Sequence, residues 1–287
     1  MEIMRTLRRV ATALRPTGPN SSFRVHPNES ARLPAEELVD FTCNVCGHRN
    51  CGVPLSAVEN REYPSCSVCC SSLRMRAVIY ALAMELYDSP VTLPAFPTNQ
   101  SISGLGMSDW EGYASRLRDK FSYVNTQYHT EPQLDITNIP EREVGRHRFL
   151  ISSDVFEHIP LFDLENAFRN SRRLLQDNGL FVFTAPFTKT GVSQEHFSRL
   201  HDFSIISRDG KRVLLNKTTD GSDEIFENLI FHGGDGMTLE MRIFSEPDLR
   251  TYFANAGFSS VKIYAERVPE FGILWPMDWA VPIVARA

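Results

Sequence analysis

The stretch SISGLGMSDW, Ser101–Trp110, decides how this chain is read. Two glycines, Gly104 and Gly106, stand one residue apart, and Ser108 follows where a third glycine would fit the spacing. A short apolar strand running into a glycine turn, with the helical pattern WEGYASRLRDKF behind it, opens a strand–turn–helix unit. Glycine lets the backbone turn sharply and approach a ligand closely. The helix start that follows offers unpaired N–H groups. A turn of this kind also occurs where nothing is bound, so the surroundings have to decide.

Downstream the alternation continues. SYVNTQYH and RFLISSDVF read as strands, and DLENAFRNSRRLLQDNG reads as an amphipathic helix with Leu164, Ala167, Phe168, Ser171, Leu174 and Leu175 on one face. Gly179 is expected to close that helix, and LFVFTAPF reads as a buried strand. Such alternation predicts a parallel sheet covered on both faces. Then the pattern changes. The run from Phe203 to Gly234 carries two Asp-Gly turns between β-rich segments, which predicts a β-meander. SEPDLRTYFANAGF returns to helix, with Ser245 as its cap and Pro247 in its first turn. SSVKIYAE and WAVPIVARA supply two final strands.

Upstream, all six cysteines fall between Cys43 and Cys70. CNVC and CSVC, nineteen residues apart, place Cys43, Cys46, Cys66 and Cys69 as two knuckles that can surround one Zn²⁺. A four-sulfur site has no open coordination position, so the metal would be structural. It would fold a small ribbon that lacks the apolar residues to fold alone. Cys51, Cys70 and His48 are spare. The clustering, with no secretion signal, points to a reducing, cytoplasmic setting. LRMRAVIYALAMELYD predicts a helix between the ribbon and the sheet. The expected organisation is an irregular arm over 1–38, a zinc ribbon over 39–76 and an α/β domain over 77–287. MEIMRTLRRVATALRP, at the start of the arm, reads as a short amphipathic helix.

The chain has 287 residues, a formal net charge of −5 and 42% hydrophobic residues, the profile of an ordinary globular protein. A weakly acidic chain offers no electrostatic reason for a nucleic-acid partner, and no apolar run is long enough to span a bilayer.

From about residue 100 onward the order of elements resembles the class I S-adenosylmethionine-dependent methyltransferases of the type-11 kind, including a group with an amino-terminal zinc ribbon. The resemblance implies a Rossmann-like sheet, mostly parallel with its last strand antiparallel, bearing a β-meander insertion and a small amino-terminal zinc ribbon. It also implies S-adenosylmethionine as cofactor. Gly104 and Gly106 match the family's first two loop glycines, Ser108 replaces the third, and Ile102 stands where an acid is usual. Asp109 then becomes a candidate for the cofactor's ammonium group. Asn125 takes the place of the acid that holds the ribose hydroxyls, and an amide accepts without charge assistance. Asp135 matches the acid that meets the adenine amino group. Asp154, in SSDVFEHIP, falls at a strand's carboxyl end, where open α/β sheets bind ligands; Glu157 and His158 either join it or cap the next helix.

The resemblance implies methyl transfer to a small molecule or a carbohydrate-type acceptor. An O- or N-nucleophile must lose a proton, a task suited to histidine near neutral pH. His196, then His201 and His232, are the candidates, from polar stretches where such enzymes build substrate pockets. A metal site from His196, His201, His232 and Glu240 lacks regular spacing. HGGDG could cradle a phosphate or form a plain turn. Phe271, Trp275 and Trp279 line a ring-binding wall or seal the sheet edge. Two other readings stand beside this one: an RNA methyltransferase that uses the ribbon on its substrate, and a non-catalytic binding protein.

Overall fold

The computed structural model describes residues 36–232 and 238–287. The predicted amphipathic helix, nearly all of the arm, and the glycines of HGGDG lie outside them, as does the side chain of His232. Glu36–Ala287 form one unit.

In chain order, β1 (Leu38–Thr42) and β2 (Arg49–Pro54) pair antiparallel, with Cys43 and Cys46 in the turn between them. A short helix α1 (Leu55–Glu59) leads to the second knuckle, and α2 (Leu73–Tyr87) follows it. The sheet then begins: β3 (Asn99–Met107), α3 (Glu111–Lys120), β4 (Phe121–Thr126), β5 (His147–Ser153), α4 (Leu161–Leu174) and β6 (Leu175–Thr184). Two-residue strands β7 (Phe187–Thr188) and β8 (Gln194–Glu195) precede β9 (Asp202–Arg208), β10 (Lys211–Lys217) and β11 (Asp223–Phe226). After β12 (Phe231–His232), β13 (Thr238–Leu239) and β14 (Arg242–Ser245) come α5 (Glu246–Asn255), β15 (Ser260–Ile263) and β16 (Ile283–Arg286).

The main sheet has the order β15-β16-β6-β5-β3-β4. β4, β3, β5 and β6 are mutually parallel, and β16 runs antiparallel to both β6 and β15. This is the expected sheet: mostly parallel, last strand antiparallel. The chain crosses from β4 at one edge to β5 on the other side of β3. That reversal opens a crevice at the carboxyl ends of β3 and β5, the place where such sheets bind ligands.

Strands buried on both faces explain the two cores. On one face Leu105, Leu150, Phe181 and Phe183 meet Leu164, Ala167 and Phe168 of α4 and Leu249 and Phe253 of α5. On the other, Tyr123, Phe149, Ile151, Leu180 and Val182 meet α2 and α3, and Cys43, Cys66 and Phe41 of the ribbon join the same cluster. The ribbon and the sheet therefore share one apolar core, and α2 runs across the expected 76/77 boundary.

The meander is present as β9-β10-β11, with Asp209 and Gly210 both at positive φ in its first turn, as a two-residue hairpin loop requires. Ser245 caps α5 by accepting from the Asp248 N–H at 3.2 Å. One expectation is corrected. α4 stops at Leu174, and Gly179 lies inside β6 instead of closing the helix. Asn178 takes the left-handed conformation there, φ 59°. Gly179 serves packing, because a Cβ would press on the Gln176 carbonyl and the Leu175 side chain.

Candidate functional site

A cavity of about 1030 Å³ opens at the carboxyl ends of the parallel strands. Met107 and Ser108 line it at the end of β3, Thr126 and the following residues to Thr130 at and beyond the end of β4, and Ser153, Asp154 and Val155 at and beyond the end of β5. The segment after β4 adds Leu134, Asp135, Ile136 and Thr137. Phe203 of the meander, Thr238 and Met241 line it further, together with His158. The ribbon side contributes Glu62, Arg74 and Met75.

The glycine loop is built by packing. At Gly104 a Cβ would enter the Phe149 ring, and at Gly106 it would overlap the Tyr123 hydroxyl and the Asp109 carboxylate. Asp109 is buried, and its carboxylate accepts from Tyr113 Oη at 2.8 Å and from Tyr123 Oη. Burial pushes this carboxyl up to about 7, and the two tyrosine donors offset only part of that rise. Asn125 Oδ1 accepts from the Asp109 N–H at 2.9 Å while its Nδ2 donates to the Asp109 carbonyl at 2.9 Å. Gly104, Gly106, Asp109 and Asn125 thus brace the loop from beneath and are not among the cavity-lining residues. The Ser108 N–H donates to the Thr126 carbonyl at 2.7 Å, and Thr126 Oγ1 donates to the Gly106 carbonyl at 2.7 Å.

Ser108, Asp135 and Asp154 do reach the cavity. Ser108 has φ 55° and Asp154 φ 57°. Left-handed backbone at non-glycine residues costs on the order of 1 kcal/mol each and concentrates at functional sites. Here the two strained residues end adjacent strands. Asp135 Oδ1 accepts from the Thr137 N–H at 2.9 Å and from Thr137 Oγ1 at 2.7 Å, which fixes the carboxylate at the cavity wall. Asp163 lines the same cavity, and burial followed by the Asp135 charge pushes its carboxyl up.

Asp154 is the most heavily bound. Arg61 donates to it through both terminal nitrogens at 2.8 Å, Arg74 Nε stands 3.2 Å away, and Thr184 Oγ1 donates at 2.8 Å. Burial alone would raise its pKa, but the two guanidinium groups outweigh burial and hold the carboxyl well below the usual range. Arg74 also donates to Ser153 Oγ at 2.6 Å and to Glu62 at 2.6 and 2.8 Å. Reading the sequence missed Arg61, Glu62 and Arg74. They sit around the cysteine knuckle, remote in sequence from every strand end, and their only signal was proximity to the CSVC motif.

Among the described histidines, His129 and His158 line the cavity. His158 Nδ1 donates to the Leu239 carbonyl at 2.7 Å, and its Nε2 stands 3.9 Å from Glu157 Oε1. His196 Nε2 lies 3.2 Å from Glu240 Oε1, beside the Arg242–Glu195 pair, and is not among the lining residues. His201 is exposed and donates its N–H to Asn216. His232 pairs through its backbone with Thr238. Phe271 and Trp275 are buried in the sheet-edge core, and Trp279 is 42% exposed.

The sulfurs of Cys43, Cys46, Cys66 and Cys69 all lie within 4.8 Å of one another, with pairs at 3.6 and 3.7 Å. A tetrahedral zinc with bonds of about 2.3 Å places its sulfurs about 3.8 Å apart, so the donor set and spacing fit this ion. Charge agrees. Arg76 is fully buried, and its hydrogen bonds go to Ser65 Oγ, the Ser71 carbonyl and the Gly272 carbonyl, none of them a carboxylate. Burial lowers its pKa to about 10, and thiolates at Cys43, Cys66 and Cys69 oppose that fall. A tetrathiolate zinc, net negative, would be the counter-charge this cation needs.

A scan against models of protein families finds no match, and a search of curated proteins finds none. Solved structures do match. An S-adenosylmethionine-dependent methyltransferase from Clostridium acetobutylicum is 12% identical, with 65% of this chain and 83% of that one covered and a TM-score of 0.37. The 1,6-didemethyltoxoflavin-N1-methyltransferase of Burkholderia thailandensis, solved with 1,6-didemethyltoxoflavin and S-adenosylhomocysteine, is 14% identical, with coverages of 75% and 77% and a TM-score of 0.40. A sugar N-methyltransferase from a Streptoalloteichus species is 11% identical, with coverages of 65% and 80% and a TM-score of 0.38. No helix among the described residues is long and apolar enough to cross a membrane. The described residues form a Rossmann-like sheet, mostly parallel with an antiparallel last strand, with a crevice at its switch point and a four-cysteine module at its amino-terminal side.

Proposed function

We propose that this protein transfers a methyl group from S-adenosylmethionine to an oxygen or nitrogen of a small molecule or carbohydrate-type acceptor. The observation that carries the reading is the cavity across the ends of β3, β4 and β5 with Asp135 and Asp154 in its wall. When bound, the cofactor supplies a methyl group already activated by a positively charged sulfur. The chain's task is to align the acceptor and exclude water. Asp135 holds a carboxylate oxygen where an adenine amino group can donate to it. Asp163 and Asp135 give that side a negative field suited to a cationic ligand. Trp110, Tyr128 and Phe203 offer aromatic surface to a ring-shaped acceptor.

His158, which lines the cavity with Nδ1 donating to the Leu239 carbonyl and Nε2 3.9 Å from Glu157 Oε1, is the first candidate for taking the acceptor's proton. His196, paired with Glu240, is the second candidate for that role.

Two measurements test the reading. Calorimetric titration with S-adenosylmethionine and S-adenosylhomocysteine should show binding at one site per chain, and no binding refutes it. His158→Ala should lower turnover with cofactor affinity intact, whereas His196→Ala should not; the reverse result moves the base to His196.

A further inference from the structure

The Cys66–Cys69 knuckle is the tip of a loop whose two arms each present an arginine to the same carboxylate. Arg61 lies five residues before Cys66, and Arg74 lies five residues after Cys69. Backbone hydrogen bonds join the arms: the Arg74 N–H donates to the Arg61 carbonyl at 3.2 Å, and the Cys66 N–H to the Ser71 carbonyl at 3.2 Å. Both guanidinium groups then meet on Asp154, whose backbone sits at φ 57° where β5 ends. The Asp154 side chain is 10% exposed, and those of Arg61 and Arg74 are 19% and 16% exposed. Two like charges this close repel and would part if the arms were free. What keeps them together is Asp154, Glu62, which pairs with both guanidinium groups, and the closure of the loop at its sulfur tip. A cross-link at that tip removes conformational freedom from the open loop and so favours the convergent arrangement.

We propose that metal occupancy of the four-cysteine site sets the ligand affinity of the cavity, with Arg61 and Arg74 acting as positioning residues for Asp154. The ribbon is then a working wall of the site and not a separate appendage. Loss of the metal lets the loop arms separate, releases Asp154 from its two cations, and loosens the left-handed turn that closes β5. The identity of the ligand rests on the methyltransferase reading; the coupling between metal and strand end does not.

The test uses the full chain, zinc-loaded and chelator-stripped. Affinity for S-adenosylhomocysteine is measured by calorimetry, and hydrogen exchange is followed at residues 152–156 and, as a control, at 180–184 in β6. Stripping should weaken binding about tenfold or more. It should also speed exchange at 152–156 while 180–184 stays protected. The Arg61→Ala/Arg74→Ala double variant should hold zinc at the parent ratio, show the same loss of affinity, and lose nothing further on stripping. Arg61→Lys, which keeps the charge without the two-pronged fork, should fall between parent and double variant.

Unchanged exchange at 152–156 after stripping overturns the proposal. So does a second, additive loss when the double variant is stripped, because metal and arginines would then act independently. Loss of protection at 180–184 also overturns it, since the metal would be holding the whole fold. If loaded parent protein binds no S-adenosylhomocysteine, the methyltransferase reading fails, and the exchange measurement still decides the coupling.

Discussion

The buried carboxyl of Asp109 makes stability depend on pH with a predictable sign. It lies beneath the glycine loop, 6% exposed, with the Tyr113 and Tyr123 hydroxyls donating to it. Burial pushes it from an ordinary 3.8 to about 7. Below about pH 4 the group is protonated both folded and unfolded, and it costs the fold nothing. Between about pH 4 and 7 the unfolded chain has released this proton while the folded chain still holds it. Folded-state stability therefore falls as pH rises, by ~1.4 kcal/mol per unit, and levels off above about pH 7. Roughly three pH units give a total of ~4 kcal/mol. Asp109→Asn removes the titration while keeping an oxygen to accept from one tyrosine.

The assay is urea unfolding of parent and variant at pH 4.5, 6 and 8. Other groups titrate in this window, but they titrate in both proteins and cancel in the difference. The parent-minus-variant unfolding free energy should fall by ~3–4 kcal/mol from the lowest to the highest pH. A difference constant to within ~1 kcal/mol refutes the buried-carboxyl argument.

Other outcomes are expected from the same structure. Metal analysis should find one zinc per chain, lost in Cys66→Ser and kept in Cys51→Ser and Cys70→Ser, whose side chains are exposed and outside the sulfur cluster. Gly106→Ala should lower stability by ~1–3 kcal/mol, the usual penalty of overpacking, because a methyl there overlaps Tyr123 and Asp109; denaturant unfolding reads it directly. Asp135→Asn keeps an oxygen for the Thr137 turn but puts a donor where an acceptor faces the cavity. It should weaken S-adenosylhomocysteine binding about tenfold at unchanged thermal stability.

Much of the sheet was readable from the order of residues because its signals are local. Strand periodicity over Phe149–Ile151 and Leu180–Phe183, the helical face of Leu164 to Leu174, the Ser245 cap and the two Asp-Gly turns each depend on neighbours a few positions apart. The two CxxC spacings are local too, and the four sulfurs they carry do come together. Gly179 went astray because two causes select glycine: positive φ at a helix end and lack of room for a Cβ. Spacing alone cannot separate them, and in the fold Asn178 takes the first role.

By itself, then, the sequence determined the layers, the parallel run with its returning strand, the meander and the grouping of the four sulfurs, since each follows from periodicity or from fixed short spacings. Only the tertiary structure decided which side chains face the cavity. The loop residues Asp109 and Asn125 turn to each other and to Tyr113 and Tyr123, while Arg61 and Arg74, 93 and 80 residues before Asp154 in the chain, close on it. The physical reason is that a buried charge must find its partner in space, and the partner's address along the chain is set by how the ribbon packs on the sheet.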